Sequence, residues 1–132
     1  MAKILVVDDS KVVAKLLSNS LTAQGHEAVT AESVDTAIAA LKEHGASIKM
    51  VITDLIMPEK DGIELIDHLH ATMTPFDRPK IIVISGGSKG TVDADTAVST
   101  VKDRVNKVMI KPFTQEDLAR AVSGLLGAKP AA

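Results

Sequence analysis

Apolar residues in this chain follow two rhythms. Short continuous runs end abruptly in polar residues: Ile4-Leu5-Val6-Val7 in Asp8-Asp9, Met50-Val51-Ile52 in Thr53-Asp54, Ile81-Ile82-Val83-Ile84 in Ser85-Gly86-Gly87, and Val108-Met109-Ile110 in Lys111-Pro112. A weaker run covers Glu27 to Thr30. Continuous β-branched runs bounded by polar turns predict strands buried on both faces. Between them the spacing becomes helical. Val13, Leu16, Leu17 and Leu21 mark one stripe, and Val34, Ala37, Ile38 and Leu41 a second. Gly62, Ile66 and Leu69, then Ala94, Ala97, Val98 and Val101, then Leu118, Ala121, Val122 and Leu125 mark three more. Each stripe is expected to face a core. Gly25, Gly45 and Gly127 fall at expected helix ends, and Ser33 and Thr114 at expected starts. Pro79 precedes the fourth strand, where no ladder donor is needed. Five βα units imply an α/β fold, a doubly wound parallel sheet with helices on both faces.

The length of 132 residues fits one domain, expected over residues 1–127, with a flexible tail over 128–132. Cysteine is absent, which removes disulfides and thiolate chemistry. The net charge is −2 and aromatics are 2%, Phe76 and Phe113 alone. Neither a basic field nor stacking platforms exist for nucleic acid. The start is too short for a signal peptide, and no apolar run approaches the roughly 20 residues of a membrane span. A soluble cytoplasmic domain is expected, without membrane or direct nucleic-acid contact.

The polar residues that end the runs carry the chemistry. In open parallel sheets ligands bind outside the carboxyl ends of the strands. There the first strand delivers Asp8 and Asp9, the third Asp54, the fourth Ser85 and the fifth Lys111. Two carboxylates about 5 Å apart repel by roughly 3 kcal/mol at an effective dielectric near 20. One lysine does not neutralise three acids, so a hard divalent cation is expected, Mg²⁺ first. Mg²⁺ readily shares a site with phosphate, and a carboxylate is a competent phosphoryl nucleophile. Asp54, central in the sheet, is the best placed, with Lys111 and the Ser85 hydroxyl available for phosphoryl oxygens.

Taken together and in order, these residues resemble the receiver domain of response regulators, and are similar to stand-alone chemotaxis-type receivers. The resemblance spans about Lys3 to Leu126. It rests on Val6-Val7-Asp8-Asp9-Ser10, on Asp54-Leu55-Ile56-Met57-Pro58-Glu59-Lys60-Asp61-Gly62, on Ser85-Gly86 and on Lys111-Pro112-Phe113. It implies a flavodoxin-like (βα)5 fold with strand order 2-1-3-4-5. It also implies that Asp9 and Asp54 ligate Mg²⁺ directly, Asp8 through water, and Ile56 through its backbone carbonyl, with Mn²⁺ able to substitute. Asp54 would accept a phosphoryl group from the phosphohistidine of a histidine kinase or histidine phosphotransfer domain, or from a small phosphodonor. Lys111 would bridge the acids and then hold the phosphoryl group, and Ser85 would move to bind it. Lys111-Pro112 matches a cis peptide of the family. The chain would be no turnover enzyme, catalysing only its own phosphorylation and dephosphorylation.

Departures from the family pattern shape the expected switch. Val108 stands where an aromatic residue often swings, so switching would run through Ser85, Gly86 and the following glycine-rich loop. Ile56 and Gly87 cannot orient an attacking water, which implies a long-lived phosphoryl state. With no effector segment after Leu126, output is expected through protein contacts with a downstream target. The face expected for them is that of the fourth helix, fifth strand and fifth helix, including Val92, Lys107 and Phe113, in a monomer or weak homodimer.

Each motif alone also has a plainer reading. Asp8-Asp9-Ser10 can be a helix cap, Asp54 a turn residue, Ser85-Gly86-Gly87 a loop, and Lys111 a solvated lysine. The four histidines read as surface residues. Among rival functions, a flavodoxin would need a phosphate loop rich in Ser and Thr after the first strand, together with aromatics. A phosphatase would need a second acid where Ile56 sits. A relay shuttle and a pseudo-receiver that only binds partners remain as alternatives.

Overall fold

The apolar runs become strands because both of their faces are covered. The computed structural model describes residues 2–55, 62–74, 76–85, 102–111 and 113–126. These form β1 (Lys3–Val7), α1 (Lys11–Ala23), β2 (Glu27–Ala31), α2 (Val34–His44), a short 3-10 turn, β3 (Ile48–Asp54), α3 (Gly62–Thr72), β4 (Lys80–Ser85), β5 (Lys107–Ile110) and α4 (Gln115–Leu126). The helix α4 is the fifth of the sequence pattern. The fourth helix stripe, together with Ile56, Gly86, Gly87, Val92, Pro112, Gly127 and the 128–132 tail, lies outside the described residues.

The five strands form one parallel sheet in the order β2-β1-β3-β4-β5. Alternate residues of each strand feed opposite layers, as the period of two requires. Leu5, Val7, Val51, Ile81 and Val83 pack with Ala37 and Leu41 of α2 and Leu65, Ile66 and Leu69 of α3. Ile4, Val6, Met50, Ile52, Ile82 and Ile84 pack with Leu17 and Leu21 of α1 and Leu118 and Val122 of α4. Full burial of an Ile or Leu side chain stabilises by roughly 1.5–3 kcal/mol. The strands are therefore the rigid frame on which their polar ends are mounted. No described helix is long and apolar enough to cross a membrane.

Helix boundaries follow local chemistry. Ser33 accepts the Thr36 N–H at 3.1 Å while Thr36 Oγ1 accepts the Ser33 N–H at 3.0 Å, a reciprocal cap. Thr114 and Asp117 do the same for α4, and the hydrogen bonds that Thr114 donates to the Asp117 carboxyl hold it below its ordinary value. Gly25 ends α1 at φ +91°. One sequence expectation is corrected. Leu16, read as core, is 60% exposed, and Val12 is 70% exposed. The buried stripe of α1 is instead Ala14, Leu17 and Leu21.

Gly62 opens α3 directly against the end of β3. Its N–H donates to the Leu55 carbonyl at 2.8 Å. A Cβ at this position would lie 2.5 Å from the Asp54 carbonyl oxygen. Because that neighbour is backbone, it cannot swing away. Gly62→Ala is expected to cost about 1–3 kcal/mol by overpacking. Urea unfolding measures the loss, and an unchanged midpoint would contradict the close approach.

Candidate functional site

Hydrogen bonds between adjacent strand ends hold the carboxyl edge of the sheet. The Asp8 N–H donates to the Ala31 carbonyl at 3.1 Å, Leu55 N–H to Ile84 at 3.0 Å, and Lys111 N–H to Ser85 at 2.9 Å. Thr53, fully buried, donates its hydroxyl to the Asp54 carbonyl at 2.9 Å. Sequence reading assigned Thr53 no part. A lone polar residue in an apolar run was its only signal.

This scaffold brings Asp8, Asp9 and Asp54 together, with one carboxylate oxygen from each lying within 4.8 Å of the others. Asp8 is 1% exposed, Asp54 half-buried and Asp9 exposed. Asp8 Oδ1 accepts the Ser10 N–H at 2.8 Å. Its Oδ2 is buried with no hydrogen-bond partner among the described residues. Burial pushes the Asp8 carboxyl above its ordinary value. The Ser10 N–H and the Lys111 charge offset part of that rise, and neighbouring Asp9 adds to it. Lys111 Nζ lies 3.8 Å from Asp54 Oδ2, an ion pair rather than a close hydrogen bond. Ser85 is buried at the end of β4, where it pairs with Ile110.

The donor set fits a hard divalent cation. It is all oxygen, carries three carboxylates against one lysine, and includes one buried oxygen still lacking a partner. Asp8, Asp9 and Asp54 are the described residues that could hold one. The helix-cap reading of this segment is also true, since Ser10 Oγ accepts the Val13 N–H at 3.3 Å. The two roles share the turn, Ser10 capping α1 and the aspartates facing the edge.

Other expectations fare unevenly. Val108 is half-buried on β5 beside Val83, and Lys107 is exposed. The backbone ligand Ile56, the switch residue Gly86 and the Lys111-Pro112 peptide reach outside the described residues. The histidines are not free surface groups. All four are half-buried, and three are tied down: His26 accepts the Ala2 N–H, His44 meets Lys3 Nζ, and His70 meets the Arg104 carbonyl.

A doubly wound sheet with these carboxylates at one edge defines the receiver class of signalling module. Residues 4–123 match the response regulator receiver domain, and the chain belongs to that family, the receiver domains of two-component systems. It is similar to the chemotaxis protein CheY homolog of Campylobacter jejuni, 34% identical over 95% of this chain and 92% of the relative. Chemotaxis protein CheY1 of Helicobacter pylori is 30% identical over 95% and 97%. A solved receiver domain from Clostridium thermocellum superposes with a TM-score of 0.83 at 29% identity, covering 96% of this chain and 95% of the other.

The buried, incompletely satisfied Asp8 yields a prediction. Asp8→Asn keeps an acceptor for the Ser10 N–H and removes one of three crowded charges. In the metal-free protein it is expected to raise stability by about 1–2 kcal/mol. The same change should remove most of the stabilisation that Mg²⁺ confers on the wild type. Thermal unfolding with and without Mg²⁺ checks both. A less stable metal-free variant would contradict the charge argument.

Proposed function

We propose that the chain is a phospho-receiver that accepts a phosphoryl group on Asp54 in the presence of Mg²⁺ and signals through altered protein contacts. The observation that carries the reading is the convergence of Asp8, Asp9 and Asp54 within 4.8 Å, with Lys111 beside Asp54. An oxygen of the Asp54 carboxylate attacks phosphorus, and the bond to the donor's imidazole nitrogen breaks. A bound divalent cation supplies neutralisation of the carboxylates and of the phosphoryl oxygens. Thr53 and Gly62 fix the backbone from which Asp54 reacts. Lys111 remains paired with Asp54 until a phosphoryl oxygen competes for its ammonium, which favours charge transfer from carboxylate to phosphate. The Ser85 hydroxyl, buried at the end of the adjacent strand, is the group placed to follow the phosphoryl oxygen. The domain modifies itself and is not a turnover enzyme. A cytoplasmic setting fits this chemistry and the absence of cysteine.

One apolar cleft and one groove of mixed lining flank the site and suit two classes of partner. Exposed Leu16 borders a cleft of about 360 Å³ between α1 and α4, lined by Val13, Leu17, Phe113 and Leu118 and reaching Lys111. This is the entry side, fitted to the helices of a histidine kinase or phosphotransfer domain. Ile110, 60% exposed on the edge strand β5, borders a second groove with Lys107, Phe113 and Arg120. This is the exit side, fitted to a downstream target. Exposed large apolar side chains on neighbouring elements are the expected mark of such contacts.

Intact-protein mass spectrometry after incubation with a small phosphodonor tests the chemistry. A single phosphoryl increment is expected in wild type, absent in Asp54→Asn and absent when a chelator removes Mg²⁺. No increment under any condition would leave the pseudo-receiver reading in its place. The entry side is tested separately. Leu16→Asp is expected to slow phosphotransfer from the cognate phosphohistidine by about tenfold or more, as burial of a charge at an interface costs over 1.4 kcal/mol. Labelling by the small donor should not change, because Leu16 lies outside the reacting groups. Equal slowing with both donors would instead mean that the variant disturbs the site itself.

A further inference from the structure

The opposite, amino-terminal edge of the sheet has a concavity of its own, about 590 Å³ in volume. That lies within the range of small-molecule sites. Buried Ile48 forms part of its floor, and Leu125, Leu126 and Phe76 supply apolar walls. Phe76 is 97% exposed, an unusual state for a phenyl ring in a chain with two phenylalanines.

The polar lining is cationic. Lys49 on β3, Lys80 at the start of β4 and Arg78 just before it converge on this cavity. Among the described residues none of the three forms an ion pair. Asp77, the lining carboxylate, accepts the Thr74 hydroxyl at 3.1 Å. Arg78 donates through Nη2 to the Met73 carbonyl at 3.3 Å, but its Nε is buried and has no partner among the described residues. Buried donors are normally satisfied, so the unmatched Nε marks Arg78 as incompletely paired among the described residues, while its guanidinium lines the cavity. His26 also lines the cavity. Its Nδ1 accepts the Ala2 N–H, which leaves Nε2 as the proton donor of the neutral ring.

We propose that this amino-terminal edge binds a small phosphate monoester carrying an aromatic body, of the nucleoside monophosphate kind. Three cations without an ion pair among the described residues suit a dianion better than a single carboxylate, and the Arg78 fork matches phosphate oxygens. The exposed Phe76 ring and the two leucines offer a face for a planar base. The site is separate from the phosphoryl chemistry. Lys49 and Asp54 stand at opposite ends of β3, five residues apart, roughly 16 Å at the rise of a parallel strand.

Amide chemical-shift mapping of the metal-free, unphosphorylated 132-residue chain tests this with AMP, inorganic phosphate and adenosine as separate titrants. AMP should saturate at about 1 mM or below and move the amides of Lys49, Phe76, Asp77 and Lys80, but not those of Asp9 and Asp54. Phosphate and adenosine alone should each bind about tenfold more weakly. The double variant Lys49→Gln/Lys80→Gln changes only exposed side chains and should weaken AMP by about fivefold or more. Lys42→Gln, an exposed change on α2, should leave it as in wild type. Absence of saturable shifts at this edge would overturn the proposal, as would shifts confined to the aspartate edge or unchanged affinity in the double variant. Phosphate binding as tightly as AMP would also overturn it, leaving a simple anion patch.

Discussion

Like-charge crowding at one edge of the sheet is the constraint on which the rest of this structure depends. Asp8, Asp9 and Asp54 hold oxygens within 4.8 Å of one another, with Lys111 paired to Asp54 among the described residues. Left to themselves, flexible carboxylates would separate into water. They do not, because Asp8 and Asp54 follow strands whose apolar residues are fully enclosed, and because each strand end is hydrogen-bonded to its neighbour. Burial of many Ile, Val and Leu side chains at roughly 1.5–3 kcal/mol each outweighs a local repulsion of a few kcal/mol. The core thus maintains an unfavourable charge arrangement, which a bound cation would relieve.

The same physics explains which features were legible in the sequence. Strands β1, β3 and β4 are enclosed on both faces, so they read as unbroken apolar runs. β2 is an edge strand with two exposed positions, and its run is correspondingly weak. The aspartates, Ser85 and Lys111 were legible because each lies within two residues of the end of a run, so the sheet's topology alone brings them to one edge. Thr53 was not, since nothing in a strand pattern distinguishes a buried hydroxyl that fixes a backbone carbonyl from a tolerated polar residue. Leu16 was misplaced for a complementary reason. Helical spacing records which side chains are apolar, and an apolar residue left at the surface can have the same spacing as one in the core. Three of the surface histidines, His26, His44 and His70, meet backbone groups and a lysine far along the chain, contacts with no local signature.

Gly62 shows how the two faces of the sheet are coupled to the site. It begins α3, a helix that packs on the α2 side, and it touches the Asp54 and Leu55 backbone more closely than any side chain would permit. Thr53 holds the same Asp54 carbonyl from within the strand. Asp54 is therefore held through its own backbone as well as through the ion pair of its side chain with Lys111.

The parallel topology also gives the molecule electrostatic polarity. Every strand runs the same way, so whatever begins the strands collects at one edge and whatever ends them at the other. Acids at the strand ends and Lys49 and Lys80 near the strand starts place opposite fields at the two edges, although the net charge is only −2. β3 carries both, Lys49 at one end and Asp54 at the other, enclosed between β1 and β4 along most of its length. A strand that rigid can hold charges of opposite sign apart without either neutralising the other. The separation keeps an acidic edge and a basic edge distinct on one small domain.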